Sequence, residues 1–132
     1  MKNLKVMVVD DNTKIMFAFY TLLEKENCLL IEAASGAEAL KKFSTKNPTA
    51  VFLDISLPDA NGLDILQKLL AKNPVVPVII ITGIGSTELR TRALSLGAFD
   101  YLEKPLSVTR IREILERIKK SPKTLSKKPF TQ

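Results

Sequence analysis

Histidine is absent from all 132 residues, and cysteine occurs once. Without imidazole there is no Ser-His or Cys-His nucleophile pair, no His-ligated zinc and no histidine phosphocarrier. Cys28 has no intrachain partner, which excludes a disulfide framework. At the head of the apolar run Cys28-Leu29-Leu30-Ile31 it reads as a small core residue. Long hydrophobic runs are missing too. The stretch that ends at Asp10 is too short for a signal-peptide core and far too short to span a bilayer, so a soluble, cytoplasmic protein is expected. No Gly-x-Gly-x-x-Gly follows that stretch, which argues against a nucleotide or flavin module.

What is present suits one globular domain: 45% hydrophobic and 26% charged residues, enough for a single core without metal or disulfide staples. The net charge is +6, but it is unevenly placed. Lys119, Lys120, Lys123, Lys127 and Lys128 give the last fourteen residues five positive charges and no acid, leaving 15 basic and 14 acidic side chains in residues 1–118. A nearly neutral body with a basic end argues against nucleic-acid binding by this chain. The expected organisation is one domain over residues 1–119 and a basic, flexible tail or truncated linker over 120–132.

Short strand patterns alternate five times with helical ones. Strands are expected at Lys5–Val9, Leu29–Ala33, Ala50–Leu53, Val78–Ile81 and Phe99–Leu102. Helices are expected from about Asn12 to Glu26, Ser35 to Thr45, Gly62 to Ala71, Ser86 to Leu96 and Ser107 to Ile118. Ile15, Ala18, Phe19 and Leu22 form the apolar stripe of the first helix, and Ser35 with Glu38 forms a capping box for the second. Asn47-Pro48 stops the second helix, and Gly97 caps the fourth. This alternation implies a doubly wound parallel α/β sheet with helices on both faces.

In such sheets ligands bind at the carboxyl ends of the strands. Asp10 and Asp11 follow the first strand, Asp54 the third, Thr82 the fourth and Lys104 the fifth. Three carboxylates converging on one rim repel one another unless a cation sits among them, and all-oxygen ligands favour Mg²⁺. Lys104 can pair with a carboxylate before reaction and with a phosphoryl oxygen afterwards. These are the parts of a phosphoryl-transfer site, with Asp54 as carboxylate nucleophile and Asp10 and Asp11 on the metal. The plainer reading of Asp10-Asp11 is a helix N-cap.

The segments Val8-Val9-Asp10-Asp11, Leu53 to Gly62, Ile81-Thr82-Gly83 and Gly97 to Pro105 resemble those of response-regulator receiver domains, over about residues 4–118. The resemblance implies a flavodoxin-like (βα)5 fold with strand order 2-1-3-4-5, and no enzymatic turnover beyond the domain's own phosphorylation and dephosphorylation. It implies that Asp54 accepts a phosphoryl group from a sensor histidine kinase or phosphotransfer protein. Asp10, Asp11, Asp54 and the Ser56 backbone carbonyl would hold Mg²⁺, and Thr82 and Lys104 would bind phosphoryl oxygens. It further implies a cis Lys104–Pro105 bond and a switch in which Thr82 moves, Tyr101 turns inward, and the face of the fourth helix, fifth strand and fifth helix repacks. A partner, a second protomer or an output domain outside this chain would read that face.

The resemblance puts Ser56 and Ile84 where a side chain tunes water attack on the aspartyl phosphate. A short hydroxyl and a branched apolar group orient water poorly, so a long-lived phosphorylated state is expected. The alternative is a haloacid-dehalogenase-type Mg²⁺ phosphatase. That family has a second acid two residues after its nucleophile, where this chain has Ser56, and places its metal-binding acids late rather than first. Two segments, Ile81 to Gly85 and Gly97 to Pro105, look similar to receivers fused to σ54-dependent activators.

Overall fold

The computed structural model describes residues 4–83 and 85–120. Five strands, β1 (Lys5–Val9), β2 (Leu29–Ala33), β3 (Ala50–Asp54), β4 (Val78–Thr82) and β5 (Asp100–Glu103), form one parallel sheet of order β2-β1-β3-β4-β5. The connecting helices are α1 (Thr13–Lys25), α2 (Gly36–Lys46), α3 (Gly62–Lys72) and α4 (Thr87–Ser95), and α5 (Val108–Lys120) follows β5. The doubly wound parallel sheet is as the sequence alternation implies, and its strand order is as the resemblance implies.

Alternation along the strands divides the core. Val6, Val8, Phe52, Ile79, Ile81 and Leu102 face α1 and α5, while Met7, Val9, Leu53, Val78, Ile80 and Tyr101 face α2, α3 and α4. β3 and β4 are buried along their whole length because helices cover both faces of the sheet's middle. Cys28 is buried among the α1 and α5 side chains, and burial raises its thiol pKa.

Four local features differ from the sequence reading. The buried face of α1 is Met16, Phe19, Leu22 and Leu23, with Ala18 exposed and Ile15 only partly covered. The cap of α1 is Asn12, whose Oδ1 accepts from the Lys14 and Ile15 amides at 2.8 and 3.2 Å, not Asp10 or Asp11. Strand β5 starts and ends one residue later than expected. Ser35 caps α2 as expected, but Glu38 closes the box by accepting from the Ala34 amide at 2.8 Å rather than from Ser35. That amide bond first, and Lys42 second, lower the Glu38 pKa. Asn47 ends α2 in the left-handed region, and Gly97 takes φ +106° after α4, where a side chain would be strained.

Candidate functional site

Each strand of the sheet's middle delivers a polar group at its carboxyl end. Asp10 follows β1 and is held there by its amide, which donates to the Ala33 carbonyl at 3.0 Å. Its Oδ1 accepts from the Asn12 amide at 2.9 Å. Asp54 closes β3, and its Oδ1 accepts from the Ser56 amide at 3.1 Å. Thr82 closes β4 and is fully buried. The Thr82 carbonyl accepts from the Lys104 amide at 2.8 Å, which ties the ends of β4 and β5 together. The Lys104–Pro105 peptide bond is cis.

The structure brings these groups to one point. Ligand oxygens of Asp10, Asp11 and Asp54 lie within 4.8 Å of one another, with Asp10 and Asp54 buried and Asp11 exposed. Lys104 Nζ stands 3.3 Å from Asp10 Oδ2 and 3.4 Å from Asp54 Oδ2. Only the contact to Asp54 has hydrogen-bond geometry; Asp10 Oδ2 is buried and accepts no hydrogen bond among the described residues. A buried carboxylate oxygen that accepts no hydrogen bond and meets its lysine only as an ion pair is costly in apolar surroundings and suits a further partner such as a cation. The donor set is all oxygen, which suits a hard divalent cation.

Electrostatics follow from one cation shared by two buried acids. Burial raises the Asp54 pKa, the Ser56 amide opposes it, and the Asp10 charge adds to it; Lys104 offsets only part. For Lys104 burial acts downward, but the two carboxylates prevail and its pKa is raised. The site therefore keeps its lysine charged and holds more negative charge than that lysine neutralises.

The loop after Asp54 is tightly wound. Ser56 faces Asn61 in an isolated antiparallel bridge. Its bonds run from Gly62 N to Ile55 O (2.8 Å) and from Leu57 N to Ala60 O (3.3 Å), so the Ser56 carbonyl is not consumed by it. Gly62 has no room for a side chain: a Cβ would lie 2.5 Å from both Asp54 O and Ile55 Cα. Asn61 caps α3 through the Leu63 amide at 2.7 Å. The expected turn residues thus have specific work to do. Asp59 was legible only as a turn residue, because its partners, the Gly36 and Ala37 amides, lie 23 and 22 positions away.

The resemblance implies a Tyr101 that turns inward. In the structure Tyr101 is only 5% exposed, within the cluster that includes Leu66, Leu69 and Ala93. Its carbonyl accepts from Arg110 at 3.2 Å. Ile84 lies outside the described residues, as do residues 121–132 of the expected tail.

The family model for the response regulator receiver domain matches residues 6–116, which contain every group at this site. This chain belongs to the receiver domain family. It is 36% identical over 116 residues to the probable transcriptional regulatory protein TcrX of Mycobacterium tuberculosis, covering 85% of this chain and 50% of TcrX. It is 38% identical over 119 residues to a putative NtrX-like response regulator of Rickettsia felis, covering 89% of this chain and 25% of that one. The crystal structure of the NtrX receiver domain from Brucella abortus aligns with a TM-score of 0.82 at 31% identity, over 88% of this chain and 98% of that one.

The receiver thus spans a half or a quarter of the curated relatives it matches. Response regulators are signalling proteins of two-component systems, and the match gives the phosphatase alternative no support. No helix among the described residues is long and apolar enough to cross a membrane.

Proposed function

We propose that this receiver accepts a phosphoryl group on Asp54 from the phosphohistidine of a sensor kinase or phosphotransfer protein. Asp10, Asp11, Asp54 and the Ser56 carbonyl would hold Mg²⁺. The observation that carries this reading is the meeting of three carboxylates and one lysine around a buried oxygen, Asp10 Oδ2, that accepts no hydrogen bond. When bound, Mg²⁺ supplies the positive charge that gathers phosphoryl oxygens beside the acids.

Asp54 then attacks through a carboxylate oxygen. A P–O bond to Asp54 forms as the P–N bond to the donor imidazole breaks, and the leaving nitrogen keeps the electron pair. Lys104, already shared between Asp10 and Asp54, pairs with a phosphoryl oxygen, and the Thr82 hydroxyl binds another. The acyl phosphate remains on the chain, so there is no turnover except its own hydrolysis. The groove beside Asp11, of about 320 Å³ and bordered by Met16, Phe17 and Tyr20, is the surface we assign to the donor. Phe17 and Tyr20 are 70% and 51% exposed there.

Readout would run from Thr82 to Tyr101 and the face of α4, β5 and α5, which a partner, a second protomer or an output domain would recognise. Since Tyr101 is already buried, phosphorylation acts on this reading by shifting populations toward the inward ring and its α4 packing. The test is intact-mass measurement after incubation with Mg²⁺ and acetyl phosphate. One added phosphoryl group is expected, dependent on Mg²⁺ and lost in Asp54→Asn; a variant modified like the wild type overturns the assignment. With Ser56 short and Ile84 unable to orient water, Ile84→Glu should speed loss of the phosphoryl group. An unchanged or slower decay in that variant would remove Ile84 from the reading.

A further inference from the structure

The segment from Ile55 to Asn61 is anchored at both ends, and its tip is held by another βα unit. At its root, Gly62 seats against Asp54 and Ile55, and the Ile55 amide donates to Ile81 O at 2.9 Å. At its tip, the Asp59 carboxylate spans the first turn of α2: Oδ1 accepts from the Gly36 amide at 2.7 Å and Oδ2 from the Ala37 amide at 3.0 Å. These two amides lower the Asp59 pKa, so the carboxylate is charged when it bonds them. Helix α2 already has its own cap, Ser35, so Asp59 is a second clasp supplied from another unit.

The approach is close. A Cβ on Gly36 would lie 2.9 Å from Ile65 Cδ1 and 3.0 Å from Ala60 Cβ, so the helix start rests directly on the loop and on α3. The loop fixed at both ends carries Ser56, whose amide holds Asp54 Oδ1 and whose carbonyl its bridge leaves unengaged.

We infer that Asp59 is a positioning residue for the phosphoryl-transfer site. By clasping the start of α2 it holds the loop in the shape that presents the Ser56 carbonyl and orients Asp54. This rests on the proposed Mg²⁺ and Asp54 chemistry. Asp59 itself touches neither substrate nor metal. Its effect should resemble that of an outer-shell partner, which typically changes metal affinity by about 10–100-fold. As the clasp acts through a loop, the low end, on the order of 10-fold, is expected.

The test measures Mg²⁺ affinity calorimetrically, and the rate of phosphorylation by acetyl phosphate, for wild type, Asp59→Ala, Asp59→Asn and Ser35→Ala. Wild type that neither binds Mg²⁺ nor is modified at Asp54 would defeat the proposed function itself. If wild type behaves as proposed, Asp59→Ala should bind Mg²⁺ on the order of 10-fold more weakly and react more slowly. Asp59→Asn, which keeps one acceptor oxygen, should recover part of both. Ser35→Ala weakens the same helix start without releasing the loop, and should leave Mg²⁺ affinity at the wild-type value. Wild-type affinity in Asp59→Ala overturns the inference. So does an equal loss in Ser35→Ala, which would make the effect one of helix stability. If Asp59→Ala fails to fold, Asp59→Asn against Ser35→Ala decides on the same readout.

Discussion

Helices α3 and α4 follow adjacent strands and lie on the same face of the sheet, yet they are attached very differently. Helix α3 buries Gly62, Leu63, Ile65, Leu66 and Leu69, and its first residue is pressed against Asp54 and Ile55 at the end of β3. Helix α4 fully buries only Ala93 and leaves Leu94 39% exposed. On its other side β5 is clamped to α5: Asp100 pairs with Arg117 and with Arg110, and Arg117 also stacks over Phe99. So α4 sits between well-held neighbours with little apolar surface of its own to hold it. Elements that move in switches come from the weakly held end of a structure, and α4 fits that description. The two neighbouring strand ends therefore differ: β3 and α3 hold Asp54 firmly, while the helix after β4 is lightly held, as the proposed switch requires.

Core truncation should expose this difference most strongly. Leu66→Ala, at a fully buried α3 position, is expected to cost about 2–5 kcal/mol in urea unfolding. A cost below that of a surface substitution would show that α3 is not the frame described. Next in size is the metal. Mg²⁺ at tenfold its dissociation constant should stabilise the receiver by about 1.4 kcal/mol, seen as a rise in Tm. Asp10→Asn should erase that rise; a rise retained in full would take Asp10 out of the metal site. Smallest is Leu94→Ala on α4, expected to change stability by roughly 0.5 kcal/mol or less. A loss comparable to that of Leu66→Ala would erase the contrast between the two helices.

Much of the fold was legible because its five units repeat one pattern: an apolar strand, a polar strand end, a helix start with a cap. The polar ends could be read off one by one, and the fold brings Asp10, Asp11, Asp54 and Lys104 together as the sequence implied. The buried face of α1 was only half legible: Phe19 and Leu22 belong to it, Ile15 and Ala18 do not. Ile15 to Phe19 and Leu22-Leu23 make the helix apolar on most sides, so two stripes satisfy the same offsets, and packing on β1 and β3 selects the one through Met16 and Leu23. Asn12 was passed over as the cap because the neighbouring acids satisfy the same rule; Asp10 is instead drawn into the site. The Asp59 clasp was out of reach of local reasoning, since nothing near Asp59 points to an amide in the preceding βα unit. The weak seating of α4 likewise emerges only from comparing what each helix buries.

The most direct measurement is amide hydrogen exchange, with and without Mg²⁺ and beryllofluoride, on wild type and Asp54→Asn. Wild-type exchange should change in α4 and β5 while α3 keeps its protection, with no change in the variant. Changes that persist without Asp54, or that fall on α3 and spare α4, would contradict this reading.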